Sequence, residues 1–151
     1  MTTAAAAFDY HTVAIPSLVG ATLKNAVEPT TVTSVAATGT IIYEINNQSV
    51  VYSTANATAN WTLNIVYSKA MPLNAYLGIG QSVTIAHMVT QGATAYYNSV
   101  VQIDGVTVTP KYQGGTAYAA GNVSSIDVYT YTVTKTANRT YTVFMSQTQF
   151  K

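Results

Sequence analysis

From Thr40 onward, apolar and polar residues alternate in short runs, and the period is two. In "NWTLNIVYS", Trp61, Leu63, Ile65 and Tyr67 fall on one side, with Thr62 and Asn64 on the other. Such alternation predicts a strand with one face on a core and the other in water. "QSVTIAHMVTQ" repeats the pattern, with Val83, Ile85, His87 and Val89 sharing a face. "GTIIYEINNQSVVYST" reads as two short strands around the turn-prone pair Asn46-Asn47. "ATAYYNSVVQIDGVTVTP" carries Asp104-Gly105 between β-branched residues, a strong hairpin signal. "SSIDVYTYTVTKTANRTYTVFMSQTQF" predicts a second hairpin turning near Ala137-Asn138. There Tyr129, Tyr131 and Val133 share one face, and Ile126, Val128, Thr130, Thr132 and Thr134 the other. "KAMPLNAYLGIG" breaks the rhythm with Pro72, Gly78 and Gly80, and predicts a connection with at most one helical turn.

About eight short strands and no long helix predict an all-β domain over residues 39–151. The expected architecture is an antiparallel β-sandwich, jelly-roll-like or Ig-like. Residues 1–38 lack this rhythm and contain two prolines. "SLVGATLKNAV" could form a short helix with Ser17 as N-cap, although Gly20 weakens it. The favoured expectation for residues 1–38 is an extended N-terminal arm that makes attachment or oligomer contacts.

Composition sharpens this picture through charge. Of 151 residues only 7% are charged, against roughly 25% in an average soluble protein. With 48% apolar residues the chain has enough to fold, so low charge does not imply disorder. Strands this poor in charge lack the gatekeepers that protect sheet edges. They need a covering arm or a companion chain. The six basic residues are scattered, which argues against nucleic acid as a partner. There are no cysteines, so disulfides and thiolate metal sites are excluded. No apolar run approaches the roughly 18 residues of a membrane-spanning helix. The start, "MTTAAAAFDYHTVAIP", lacks the basic region of a secretory signal, so no export by that route and no membrane partner are expected.

Candidate chemistry is sparse. Acid–base or metal work must draw on Asp9, Glu28, Glu44, Asp104, Asp127, His11 and His87. Asp104 is explained by its turn, Glu44 as a solvent-facing strand residue, and Asp127 as a residue that caps or orients the preceding loop. His87 lies on an apolar face and reads as a hydrogen-bonded core histidine. Asp9 and His11 give two ligands, where a structural zinc needs four. No nucleophile elbow or phosphate loop is present, and Gly78-x-Gly80 alone is unspecific. Asn-x-Ser/Thr sequons at Asn47, Asn56, Asn60, Asn122 and Asn138 arise readily in a Thr-rich chain. The expectation is no enzyme, no catalytic residues, no metal and no cofactor.

Twelve tyrosines stand against three phenylalanines. Tyrosine combines an apolar ring with a polar tip, which suits half-exposed sheet positions, interfaces and stacking on sugars. The stretch "KYQGGTAYAAGN" displays Lys111, Tyr112 and Tyr118 among three glycines. Together with Trp61, Tyr96 and Tyr97 these are the candidate interface or glycan contacts.

The segment "VTQGATAYYNSVVQIDGVTVTPKYQGGTAYAAGNVSSIDVYTYTVTKTANRTYTVFMSQTQF" resembles a module of virion proteins of marine tailed bacteriophages, cyanophages in particular. The similarity runs from near Gly39 to Phe150 and is most specific at "VTQGATAYY", "QIDG", "VTPKYQGGTA" and "FMSQTQF". It departs from the pattern at Tyr112, where Trp is common, and at Tyr118, where Pro is common. Members are described as tail-fibre-like or structural proteins. The resemblance implies a non-enzymatic component of the virion, not a particular place on it; because the chain is short and has no heptad segment or long shaft, capsid decoration or cement is favoured over a fibre-like appendage. The implied partners are further copies of the chain, a trimer being the favoured order, and other virion proteins such as the major capsid protein. A carbohydrate-binding or host-receptor-binding tail-fibre module, recognising a host surface glycan, is the alternative.

Overall fold

The computed structural model describes residues 27–151. Asp9, His11 and most of the "SLVGATLKNAV" segment lie outside the described residues. Ten strands follow in order: β1 Thr30–Thr33, β2 Gly39–Glu44, β3 Val50–Ser53, β4 Trp61–Val66, β5 Ser82–Thr90, β6 Asn98–Ile103, β7 Val106–Val108, β8 Lys111–Tyr112, β9 Ile126–Ala137 and β10 Thr140–Phe150. A single helical turn, α1 (Leu73–Tyr76), interrupts the β4–β5 connection, and a 3-10 turn follows β8. The strands form two sheets, ordered β1-β3-β5-β9-β10-β8 and β2-β4-β6-β7. The domain is therefore all-β and two-layered.

The pairing differs from the expected antiparallel sandwich. Five ladders are parallel and three are antiparallel. The first six strands alternate between the sheets, so each lies parallel to the strand two before it. Thr30 aligns with Val50, and Gly39 with Trp61. Jelly-roll and immunoglobulin domains are built from antiparallel pairs, and these ladders depart from both. The physical reason is visible at Asn46-Asn47. The turn forms, with the Asn47 amide donating to the Glu44 carbonyl at 3.3 Å, but β2 and β3 then lie in opposite sheets. Tyr43 spans the gap: its hydroxyl donates to the carbonyls of Ser49 (2.8 Å) and Ala86 (3.1 Å). Alternation fixes which way a side chain points and says nothing of which neighbour completes the ladder.

Both predicted hairpins form. Asp104 and Gly105 have φ of 52° and 80°, as a type I′ turn requires, and join β6 to β7. β9 and β10 pair along their length, turning at Asn138-Arg139, one residue beyond the expected place. Residues 30–33, placed by sequence in the arm, form the edge strand of the larger sheet, and Ala37 is buried in the core.

The core lies between the sheets. Leu63 and Ile65 of β4 meet Ile85 and Val89 of β5, and Tyr129, Tyr131 and Val133 of β9. α1 is clamped at both ends. Asp104 accepts the amides of Leu73 (2.6 Å) and Asn74 (2.9 Å), satisfying the orphan donors of the first turn. The buried Lys135 ammonium donates to the carbonyls of Asn74 (2.6 Å) and Leu77 (2.8 Å) at the other end. An anion at the start and a cation at the finish both suit the helix dipole.

Candidate functional site

The larger sheet buries one face and presents the other. On β9 the odd-numbered residues from Asp127 to Lys135 are buried, so Ile126, Val128, Thr130, Thr132 and Thr134 face outward. Register carries this assignment across the sheet. Val32 aligns with Tyr52, Tyr52 with Met88, and Met88 with Val128. These four side chains form an apolar row across four neighbouring strands. Beside them runs a hydroxyl lattice, in which Thr84 bonds Thr132 at 2.9 Å and Ser82 bonds Thr134 at 2.7 Å. Phe144 and Phe150 of β10 stand exposed on the same face. From β1 through β10, no outward position on this face carries a charged side chain; Lys111 of β8 enters only at the far edge. Such a face contributes little electrostatic repulsion to a like face, and its apolar row gains by leaving water.

The six residues expected to make interface or glycan contacts are not one site. Trp61 is 1% exposed and belongs to the core, its ring edge-on to Tyr129 at 5.3 Å, so the expectation of an open Trp61 platform is corrected. The alternation that put Trp61 beside Leu63 and Ile65 is the cause: that face is the inner one. Tyr96 is half-buried, its amide and carbonyl both bonded by the Gln91 side chain at 3.0 and 2.7 Å. The Tyr97 amide donates to Asn60 Oδ1 at 3.1 Å. Tyr112 and Tyr118 do come together, edge-on at 5.4 Å, but both pack against the core. Lys111 is exposed opposite Phe144.

The glycine-rich stretch is knitted down from within. Asp127 is fully buried and accepts the amide of Asn122 (2.9 Å), Asn122 Nδ2 (2.7 Å), Gln91 Nε2 (3.1 Å) and Gln147 Nε2 (3.3 Å). The expected loop-orienting role of Asp127 fits these bonds. A Cβ on Gly121 would stand 2.1 Å from the Tyr96 carbonyl oxygen, so only glycine lets the two loops close.

Most of the other titratable groups are tied to neighbouring polar groups. Glu44 accepts the Lys69 amide at 2.7 Å, and Glu28 bonds the Ser49 hydroxyl. His87 is buried, with Nε2 on Ser53 Oγ at 3.1 Å, and desolvation pulls its pKa down to about 4. Burial pushes the Tyr43, Tyr129 and Tyr131 phenols up, so these hydroxyls stay protonated. Among the described residues no three His, Cys, Asp or Glu side chains gather as a metal would need.

Sequence reasoning missed the apolar row and the stack of Tyr67 on Tyr76, 4.1 Å apart, on the β4–β5 connection. The row had a signal: Met88 and Val128 stand as large apolar residues on faces rich in Thr and Ser. No known family model, curated protein or solved structure matches this chain.

Proposed function

We propose that this chain is a non-enzymatic structural protein of a tailed bacteriophage particle, assembling as an oligomer on the virion surface. A trimer seated on the major capsid protein, as decoration or cement, is favoured over a fibre-like appendage. The observation that carries this reading is the outer face of the larger sheet, with its apolar row and no charge from β1 to β10. A lone domain gains nothing from such a face, whereas copies packed side by side bury it. The module displayed is the interleaved sandwich described above, in place of the jelly-roll or Ig-like arrangement. Three of the four described acids support a non-catalytic role, because Glu44, Asp104 and Asp127 each accept backbone amides. The sequence resemblance supports the particle.

Purified particles analysed by mass spectrometry and cryo-microscopy test the proposal. The expected result is stoichiometric, symmetric density on the capsid with the larger sheet at subunit contacts. Absence of the chain from the particle overturns it.

A further inference from the structure

A cleft of about 260 Å3 opens where the β6–β7 hairpin, α1 and the β9–β10 turn meet. One wall is aliphatic, formed by Pro72, Val106 and Val108, and Val106 is 68% exposed at its mouth. Tyr141 supplies an aromatic ring, and the polar groups are Asn74, Asp104 and Arg139.

Asn74, Asp104 and the backbone of Arg139 are held in place before any ligand arrives. Asn74 Oδ1 accepts the Arg139 amide at 2.9 Å and the Tyr141 hydroxyl at 3.5 Å, while Asn74 Nδ2 donates to Asn138 Oδ1 at 3.0 Å. Arg139 sits at φ 54°, a conformation set by the turn. The two Asp104 oxygens each take one α1 amide, and a carboxylate has about four acceptor sites, so capacity remains on both. Tyr141 feels both charges. Burial and then the Asp104 carboxylate raise its pKa, Arg139 opposes them, and the phenol is pushed up to about 12. It therefore stays a neutral hydroxyl at all ordinary pH.

This chemistry selects a ligand class. An anion would meet Asp104, and a cation would meet Arg139. A neutral molecule bearing hydroxyls meets neither penalty, because each hydroxyl can donate to the carboxylate and accept from the guanidinium. The aliphatic wall and the Tyr141 ring suit the C–H faces of a sugar. The volume falls below the roughly 300–1,000 Å3 of drug-sized sites, which limits the occupant to a small unit. Glycoside cleavage uses a pair of carboxyl groups, and among the described residues Asp104 is the one acid lining the cleft.

We propose that this cleft binds one ring of a neutral saccharide, through Asp104, Arg139 and Tyr141. The site is separate from the aromatic positions that the sequence pointed to, and it stands apart from the particle reading: either can fail alone.

Amide-resolved NMR of the full chain tests it. The probes are the methyl glycosides of glucose, galactose, mannose and fucose at millimolar concentration, with glucuronate and inorganic phosphate as charged comparators. At least one neutral glycoside is expected to shift the amides of Asn74, Gly105, Val106, Arg139 and Tyr141. Arg139→Ala, on an exposed turn, should keep the fold and weaken that binding about tenfold or more. Val106→Trp, which narrows the mouth, should weaken it without touching a polar contact. The proposal is overturned if no neutral glycoside shifts these amides, if the charged probes bind there more tightly, or if binding is unchanged in Arg139→Ala.

Discussion

His87 shows what one position on an alternating strand decides. Its place among Val83, Ile85 and Val89 marked it as a core residue, and it is one. Burial lowers its pKa from the ordinary value of about 6.5 to about 4, so the folded protein holds it neutral. The unfolded chain takes up a proton below about pH 6.5, while the folded chain resists until about pH 4. The stability from neutral His87 is therefore full above about pH 6.5 and is lost as pH falls to about 4, a difference of about 3 kcal/mol. Urea unfolding at steps across this window should show that decline. His87→Phe should flatten it, and an unchanged slope in that variant would sink the assignment. Trp61 teaches the converse. Its phase on β4 already pointed inward, and only its chemical type suggested a platform.

At the scale of elements, strand existence was legible and strand partnership was not. Eight of the strand segments stand out by period and turn chemistry, and Asp104-Gly105 fixed its hairpin because both residues accept positive φ. β1 and β8 have no hairpin turn beside them to mark them in the sequence, and are defined by the neighbours they pair with. Parallel pairing of β2 with β4 and of β3 with β5 is set by crossings between sheets, for which local sequence has no signature. The clamp on α1 was equally hidden, since Lys135 reaches it from β9 and Asp104 from the β6–β7 turn. Lys135→Met should cost about 2 kcal/mol by leaving the Asn74 and Leu77 carbonyls unpaired. Urea melts measure the loss, and faster amide exchange at Leu77 would locate it in the helical turn.

For the whole molecule the governing property is neutrality. Low charge was evident from composition, but its distribution required the register that lines Val32, Tyr52, Met88 and Val128 in one row. If that face joins copies, Val128→Lys should convert the oligomer to monomer in sedimentation while changing monomer stability by no more than about 1 kcal/mol. An oligomer that survives the substitution would place the contact elsewhere. The saccharide cleft lies on other elements, at the β6–β7 and β9–β10 turns, so a variant that disrupts packing should leave it intact.

The alternation of the first six strands between layers also dictates the order in which the chain can fold. β5 has β3 on one side and β9 on the other, so the centre of the larger sheet remains open until Ile126–Ala137 has been made. The β9–β10 hairpin needs only local loop closure, whereas the parallel rungs bring together segments far apart along the chain. The β9–β10 ribbon is therefore the natural nucleus, and the earlier strands wind onto it once it has been made. Until then their uncharged margins stay open to foreign strands, so a nascent chain of this kind depends on rapid completion or on a chaperone's cover.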